Sequence, residues 1–497
     1  MLLFAILAVP LAAAAISFAA RSKRAMDAAN IAAFVLVLLG AVLLAARVLR
    51  DGSVTAWNGL LAADSLSALV VLQTAFVALA CSVYAVGYFR DDERNQVFDA
   101  DVLGAGSLSS LRRYHTLTPL YVFAMLLVPL ASNLGVMWVA TEATTLASVF
   151  LIGFYGRATS LEAAWKYAMI GGVGLSMALF GTVLTYYSAH GVLEIETLSG
   201  WNWPVLTANA HLFDKTAMKL AFILVLLGYG TKAGIAPMHT WKPDAYSEAP
   251  VPVAAMLAGA VLNCALYALI RFHVLASACL GPGFASGLLI IFGLLSVGVA
   301  VPFVLIQKSF RRLLAYSSID HGGIMILGLG FGGALGTLGM LLHLTFHSLT
   351  KPLLFFCAGN VEQHLKSDLF SRVKGGVIHS MPVSGTVFLM ATLAVTGTPP
   401  FSIFQSEFTI FRAGFASSHS VPVIALIALL VVIFIGFLIH IARLVLGPDP
   451  ELPAADSCPW KKYSLVVLAS LLVVLGFWLP GPLFELIRSA AKVAGGG

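Results

Sequence analysis

Stretches of about 20 apolar residues recur along almost the whole chain, and this pattern limits its fold more than any other feature. An α-helix needs about this length to cross the hydrocarbon core of a bilayer. Fourteen stretches can be counted, near residues 2–20, 29–48, 60–88, 117–132, 134–155, 162–187, 217–236, 251–275, 283–306, 313–330, 333–358, 383–413, 421–446 and 463–487. Since 59% of the 497 residues are hydrophobic and only 10% are charged, the sequence predicts an all-α polytopic membrane protein of about fourteen transmembrane helices.

The remaining composition excludes several functions. The five cysteines stand singly, without the CxxC pairs that would hold zinc or an iron–sulfur cluster. We therefore predict no cofactor and no metal in this chain. The net charge of +6 fits basic loops on one side of a membrane, and nothing supports nucleic-acid binding. Lys and Arg concentrate in the odd-numbered connections, which predicts that both termini face the periplasm of a bacterial inner membrane.

One stretch, Gly228 to Pro250, lies where a membrane helix should continue but carries glycines, charges and a proline. Lys232 within it would cost roughly 2.5–3.5 kcal/mol at the centre of a bilayer, so we expect a paired or hydrated environment. Gly234 and Pro237 interrupt the helix, and irregular backbone at this depth is tolerated only inside protein or beside a cavity. The stretch predicts a broken helix built around an ion path.

A second interruption lies five spans later, where Pro399 and Pro400 follow Gly397. A repeat of five helices, an odd number, is inverted relative to its copy, and paired broken helices in inverted halves are typical of secondary-transporter cores. We therefore predict that spans 4–8 and 9–13 are inverted repeats with helices 7 and 12 broken. The corresponding divisions are 1–116 for helices 1–3, 117–275 and 276–446 for the two repeats, and 447–497 for the last helix.

Ionisable residues at membrane depth mark the first half. Glu142 lies in the fifth span and Lys166 in the sixth, so this half holds one acid and, with Lys232, two bases. Burial favours the neutral form of Lys232 and a nearby carboxylate favours its charged form, so its pairing with Glu142 would store a proton in two states. An ion pair that only pins helices together is the alternative. Three ionisable groups beside a helix break favour a proton relay.

The tenth and eleventh spans carry the titratable groups of the second half. His321 follows Asp320 in the tenth span, and His343, His347 and Lys351 recur every four residues in the eleventh, which places them on one helix face. Histidine titrates near neutral pH, so this stripe predicts a proton wire. Histidines bonded only to neighbouring backbone are one alternative. A metal held by the two histidines at i, i+4 is another, but no HExxH glutamate follows them.

Further polar residues lie in the eighth and twelfth spans. Glu407 follows the Pro-Pro break of the twelfth span, and we interpret it, with Lys232, as a gating or exit group. Asn263 in the eighth span ranks lower, as a group that could hydrogen-bond a chain of water. Arg271 and His273, at the outer end of that span, are expected to snorkel to the interface.

Five segments together resemble the antiporter-like subunits shared by respiratory complex I, Mrp-type cation/proton antiporters and group 4 membrane-bound hydrogenases. These segments are EATTL around Glu142, GTKAGIAPMHTWKPDAYSEAP, RRLLAYSSIDH, HSLTKPLLFFCAGN, and GTPPF followed by SEF. The resemblance covers roughly residues 60–445. Within this superfamily, EATTL, KAGIAPMHTW and SEAP are most similar to component F of hydrogenase-4 and formate hydrogenlyase-type complexes.

The resemblance implies a fourteen-helix fold with two inverted five-helix repeats and a central hydrophilic axis. Position by position, the family's fifth-span glutamate matches Glu142, its broken-helix lysine Lys232, its tenth- and eleventh-span histidines His321 and His347, and its twelfth-span acid Glu407. Many complex I relatives have a lysine where this chain has Asn263. The residue that links the two half-channels is therefore not identified by the resemblance, and Lys351 is one candidate for it.

The first functional hypothesis from the resemblance is a proton-translocating membrane subunit of a redox-driven complex. Nickel–iron and iron–sulfur centres, or a quinone-reducing site, would then lie in a peripheral arm of partner subunits. A charge change in a neighbouring membrane subunit would alter the interaction of Glu142 with Lys232, drive a proton along the histidines and release it by way of Glu407. A sodium/proton antiporter subunit of an Mrp-type complex is the second hypothesis, and a non-conducting scaffold for a peripheral enzyme is the third.

Overall fold

The computed structural model describes residues 1–95, 97, 107–192, 201–372, 376–448 and 458–495. The first part of the chain forms α1 (Leu2–Ala19), α2 (Lys23–Asp51), a hairpin of β1 (Val54–Ala56) and β2 (Leu61–Ala63), α3 (Ser65–Arg94), α4 (Ser107–Leu130), α5 (Leu134–Ile152), α6 (Ala158–Ala189), α7 (Trp203–Asn209), α8 (Lys215–Ala233), α9 (Trp241–Glu248), α10 (Val251–Met256) and α11 (Leu262–Leu280). The second part forms α12 (Pro282–Ile306), α13 (Phe310–Phe331), α14 (Gly333–Leu365), α15 (Val377–Ser380), α16 (Pro382–Val395), α17 (Ser402–Ala416), α18 (Ser420–Leu446), α19 (Pro459–Phe477) and α20 (Gly481–Ala494).

The helices have the length and surface of an integral membrane protein. Among the described residues, ten helices are long and apolar enough to cross a membrane. Large apolar side chains such as Leu36, Phe180 and Val421 lie on the outer surface, where a bilayer removes the cost that water would impose on them. The predicted all-α polytopic membrane fold is therefore confirmed. The total of fourteen spans and the inverted repeats stay predictions.

Polar contacts gather the helix ends on two opposite faces of the helix assembly. On the first, here called face I, Lys23 pairs with Glu93 and Lys461 with Asp91, each at 2.7 Å. On the other, face II, Asp64 caps the start of α3 by accepting from Ser67 N at 3.0 Å and also pairs with Arg271 at 2.7 Å. A side chain that caps a helix satisfies a backbone N–H with no partner inside the helix, so it fixes where the helix begins.

One helical segment lies at the centre of the protein. Every residue from Val251 to Ala276 is buried, through α10, a π-helical turn at Leu257–Val261, and most of α11. Helix α14 packs beside it, and its residues from Met340 to Leu344 and from Phe346 to Val361 are all buried. Polar side chains on these two elements therefore face protein and not lipid.

The structure differs from the predicted boundaries in three places. The limit between 1–116 and 117–275 falls inside α4, and the limit at 275 falls inside α11. The predicted fourteenth span, 463–487, is wrong as a single helix, because α19 ends at Phe477 and α20 begins at Gly481. Helix α20 lies along face II, where Ser489 Oγ is 2.6 Å from Ser65 Oγ, and it buries Leu486, Ile487 and Ala490 against the other helices.

Candidate functional site

The first helix break lies between α8 and α9. Helix α8 ends at Ala233, and Gly234 follows in the left-handed conformation with φ +70°, a region that glycine enters without steric cost. Trp241, the first residue of α9, donates from Nε1 to Thr231 O at 2.9 Å. Thr231 O also accepts from Gly234 N at 3.0 Å, so the indole joins the start of α9 to the last turn of α8.

Lys232 is the last basic residue of α8, and its side chain points into protein. Only 2% of the residue is exposed. Its Nζ donates to Tyr167 OH at 2.7 Å and to Thr145 Oγ1 at 2.8 Å, and Tyr167 OH lies 2.7 Å from Ser148 Oγ. Among the described residues, no carboxylate approaches Lys232 Nζ within 4 Å. Two hydroxyl groups, together with the ring of Tyr167 at 5.0 Å from Nζ, therefore surround this amine.

Glu142 lies on α5, on the same side of the helix as Thr145, but it does not pair with Lys232. One oxygen, Oε2, is buried without a hydrogen-bond partner, and the residue as a whole is half-buried. The two groups still interact electrostatically. The arrangement differs from the ion pair considered from the sequence, since both the acid and the base are left without a partner of opposite charge in direct contact.

Lys166 lies away from these residues. Its side chain is 42% exposed and pairs with Glu162 at 2.7 Å and with Asp244 at 3.0 Å. Arg312 of α13 binds the same Asp244 at 2.7 Å. Asp244 therefore joins two cations from different helices near face I, while Lys166 does not reach Lys232.

Two histidines of the second half form a direct hydrogen bond. His321 Nδ1 of α13 and His343 Nε2 of α14 are 2.8 Å apart, and His343 Nδ1 lies 3.0 Å from Ser406 Oγ of α17. The Ser406 hydroxyl is also 2.7 Å from Ile403 O. One ring nitrogen of the histidine pair donates and the other accepts, and the direction depends on the tautomers of the two rings.

His347 lies beside this pair, one turn further along α14. Its ring centroid is 5.3 Å from that of His321, and neither of its ring nitrogens has a hydrogen-bond partner. The residue is completely buried. Buried polar atoms are normally satisfied by protein or by ordered water, so His347 has two positions open for a proton donor or acceptor.

Lys351 lies one turn beyond His347 on α14, and Asp320 lies on α13. Lys351 Nζ donates to Ser317 Oγ at 2.8 Å and to Leu314 O at 3.2 Å. Asp320 is buried, and its Oδ1 has no partner. A cavity of about 20 Å³, lined among others by Ser317, Asp320, His321 and Glu407, adjoins these groups. Its volume is enough for one water molecule.

Glu407 faces the second helix break. Helix α16 ends at Val395 and α17 begins at Ser402, and between them Gly397 has φ +67°. Only 8% of Glu407 is exposed. Its carboxylate occupies the space where a side chain at position 397 would begin, so glycine is required there both by the backbone and by the carboxylate.

Lys242 is a buried cation that the sequence interpretation missed. It lies on α9, it is 0% exposed, and its Nζ donates to Ala233 O at 2.8 Å and to Ser318 O at 3.1 Å. A lysine within a polar stretch gives no sign of burial by itself. The sequence feature that could have indicated its burial is its position eight residues after the helix-ending Gly234.

We use the name polar axis for the buried groups that run between the two breaks. Its members are Lys232, Lys242, Lys351, His347, His321, His343 and Glu407. All seven are at most 8% exposed. The sequence predicted six of them and placed Lys166 in the same set.

Asn263 lies at the centre of the protein beside this axis. Its Nδ2, which has two N–H donors, lies 2.6 Å from Ser348 Oγ, 3.0 Å from Gln73 Oε1 and 3.1 Å from Gly259 O. Its Oδ1 is buried without a partner. The amide therefore ties α3, α11 and α14 together, and Gln73 is a contact that no local sequence pattern indicated.

The predicted snorkelling of Arg271 and His273 is wrong. Both residues are buried, at 9% and 7% exposure. Arg271 Nη2 binds Asp64 Oδ1 at 2.7 Å and donates to Ser67 Oγ at 3.1 Å. The guanidinium therefore pairs with a carboxylate of the protein on face II and does not extend into solvent.

Three side chains place atoms of the kind that bind metals close together. The nitrogens of His321 and His343 and an oxygen of Glu407 lie within 4.8 Å of each other. Imidazole and carboxylate are zinc ligands. One nitrogen of each histidine is already engaged in the bond between the two rings. The absence of a metal from this chain stays a prediction.

Residues 131–435 match the family described as NADH:quinone oxidoreductase/Mrp antiporter, TM. The chain belongs to this family. Among its members, the chain is 37% identical to a hydrogenase-4 component F homolog of Methylacidiphilum infernorum (isolate V4), over 85% of this chain and 86% of that one. It is 29% identical to NADH-quinone oxidoreductase subunit N of Desulforudis audaxviator (strain MP104C), over 89% of this chain and 86% of that one.

The antiporter-family fold is also found in a solved structure. A chain of the Mrp complex from Dietzia sp. DQ12-45-1b superposes with a TM-score of 0.84 at 20% identity, covering 99% of this chain and 97% of that chain. At this identity the likeness concerns the fold alone. The protein is thus an antiporter-like membrane subunit, and its relatives are membrane subunits of multi-subunit complexes.

Proposed function

We propose that this subunit moves protons across the membrane within a redox-driven complex of the hydrogenase-4 or complex I type. One observation carries the proposal: the polar axis is a row of buried titratable groups without direct ion pairs among the described residues. Ionisable groups kept inside a membrane protein without neutralising partners are costly, and they mark proton relays. Purely structural lysines and acids would be expected to pair.

Each predicted site residue receives a role in this proposal. Lys166 is the half-exposed member, so we assign it to proton entry at face I. Glu142 is the group through which a neighbouring subunit alters the charge on Lys232, because the two interact without contact. The histidines conduct within the second half, and Glu407 releases the proton at the second break.

The wider setting follows from the relatives and from the charge distribution. We place the chain in the bacterial inner membrane with face I cytoplasmic and both termini periplasmic, following the basic residues of the odd-numbered connections. Helices α4–α11 and α12–α18 are the two halves that carry the half-paths. The energy would come from partner subunits, other membrane subunits and a peripheral arm with nickel–iron and iron–sulfur centres or a quinone-reducing site.

The proposal is tested with Glu142→Gln in the complex purified from native membranes and reconstituted in liposomes. We expect translocation to be abolished while electron transfer continues in part, because the neutral amide cannot change the charge state of Lys232. Glu485→Gln, which alters a half-exposed carboxylate on face II, is the matched control. Translocation at the normal proton-to-electron ratio in Glu142→Gln would overturn the assignment. Failure of assembly alone, with normal transport in the complexes that do form, would favour a scaffold.

Sodium/proton antiport is the second candidate, on one observation. Four residues with side-chain oxygens, Ser317, Asp320, Thr396 and Glu407, are among those that line the small cavity beside His321, and a hard cation such as Na⁺ prefers oxygen ligands. Measurement of ²²Na⁺ uptake by the same liposomes separates the two candidates. Sodium uptake that depends on Asp320 would replace the proton proposal, and proton flux that is unchanged by sodium would reject antiport.

A further inference from the structure

The ammonium of Lys242 lies between the two halves of the protein. One of its hydrogen bonds goes to Ala233 O, at the end of α8 and next to Lys232 in the chain. The other goes to Ser318 O of α13, and the neighbouring Ser317 binds Lys351 Nζ at 2.8 Å. Lys242 thus contacts both the helix that carries the first lysine and the helix turn that holds the next one.

Among the described residues, the buried cations outside the polar axis have carboxylate partners, but Lys242 has none. Arg311, which is 2% exposed, binds Glu362 at 3.2 Å, and Lys461 binds Asp91 at 2.7 Å. Among the described residues, no carboxylate lies within 4 Å of Lys242 Nζ. Its only aromatic neighbour at cation–π distance is Tyr246, at 5.7 Å from the ring centroid. A permanent charge in this position has a high desolvation free energy, which favours a side chain whose charge is transient.

The two hydrogen bonds suit both protonation states of an amine. A neutral lysine has two N–H donors, and the two carbonyl oxygens of Ala233 and Ser318 use both. The charged form adds a third N–H. That third proton is the one without an assigned acceptor, so it can be taken up and released while the side chain remains fixed.

At each of the two helix breaks, an ionisable side chain packs against a left-handed glycine. At the first break, the methylene groups of Lys242 fill the space beside Gly234, which has φ +70°; at the second, the carboxylate of Glu407 fills the space beside Gly397, which has φ +67°. In each case a left-handed glycine admits an ionisable side chain from the helix that follows. Fastening α9 to α8 does not require this lysine, because Trp241 already bonds to Thr231.

Asn263 cannot perform the same task. Its amide holds no proton that titrates near neutral pH, and three acceptors already surround the two N–H donors of its Nδ2. Lys351 lies in the second half and interacts electrostatically with Lys242. Lys242 is the amine that contacts both the end of α8 and the turn of α13 beside Lys351.

We propose that Lys242 carries the proton between the two half-paths, in the place that a lysine in the eighth span would fill. This inference rests on the proposed function. The neutral Lys242 amine accepts a proton that originates on the Lys232 ammonium, and it releases a proton that ends on the neutral Lys351 amine. One N–H bond forms as another breaks at each step, and no electron moves.

The test uses Lys242→Gln and Lys242→Met in the purified complex reconstituted in liposomes. A potassium diffusion potential with valinomycin drives proton uptake, which internal pyranine reports, so that no electron donor is needed. We expect both variants to assemble and to lose at least tenfold in proton flux. Glutamine keeps two N–H donors for the two carbonyls but carries no titratable proton, so its defect separates proton transfer from hydrogen bonding. Lys219→Met, a change at the far end of α8, is the control.

A second substitution makes the result specific. Adding Asn263→Lys to Lys242→Met restores a titratable group next to Ser348, and we expect at least half of the lost flux to return. Normal flux in Lys242→Gln, together with a loss in Lys232→Met, would overturn the role of Lys242 and leave the proposed function standing. Normal flux in both lysine variants would overturn the proposed function itself.

Discussion

The substitution Gly397→Ala tests whether the position of the Glu407 carboxylate sets the proton flux. The left-handed conformation costs a non-glycine residue about 1–2 kcal/mol of conformational free energy, and Gly397 has φ +67°. In addition, the new Cβ would overlap Oε2 of Glu407, so the carboxylate has to move. In a reaction that depends on positioned groups, a shift on the order of 1 Å can cost about 10²-fold. We expect a modest loss of stability and a loss of flux of about tenfold to hundredfold.

The control is Gly333→Ala, which brings the same kind of backbone strain without the collision. Gly333 has φ +65°, and nothing lies within 4 Å of a Cβ built there. The unfolding temperatures of the two purified variants should therefore fall by similar amounts, while only Gly397→Ala loses flux in the pyranine assay. Adding Glu407→Asp to Gly397→Ala shortens the acid and should recover part of the flux. Full flux in Gly397→Ala, or an equal loss in Gly333→Ala, would refute the reasoning.

Three further outcomes follow from the contacts. Tyr167→Phe removes one of the two hydroxyl acceptors of Lys232 Nζ. Because a hydrogen bond to a charged group is worth about 1.5–3 kcal/mol, the proton flux should fall at least tenfold. An unchanged flux would contradict a role of Tyr167 in holding Lys232. Arg271→Gln leaves Asp64 without its cation on face II and should lower the unfolding temperature of the complex while the flux per assembled complex stays normal; unaltered melting would show that the pair is not structural. Prolonged dialysis against EDTA should leave the flux unchanged, because the two hydrogen-bonded histidines already satisfy each other; a loss that one equivalent of zinc reverses would establish a metal site.

The helices could be predicted from the sequence because apolar length and helix breakers are local properties. The interruption before α9 follows from Gly234, and the one before α17 from Gly397, in agreement with their positive φ values. Helix α20 escaped prediction because residues 478–480 are as apolar as the flanking helices, so the chain reads as one long span. The prolines at 480 and 482 were the signal for a turn, since proline is favoured just before or at the first turn of a helix.

The polar axis could be predicted only where its spacing is local. His343, His347 and Lys351 share one face of a single helix, and this follows from their four-residue spacing. Lys242 could not be placed, because its burial depends on how α9 packs against α13, as its bond to Ser318 shows. The separation of Lys166 from Lys232 could not be predicted either, because it depends on the pairing of Lys166 with Asp244 of α9.

The enclosed segment from Val251 to Ala276 has a consequence for biogenesis. None of its residues meets lipid in the finished protein, yet its hydropathy is as high as that of helices on the outer surface. Insertion of a helix into the bilayer requires an apolar sequence at the moment of insertion, whatever surrounds the helix later. The apolar residues of this segment are therefore needed twice, first for entry into the membrane and then for packing, and Asn263 is the polar group at its centre that both stages accept.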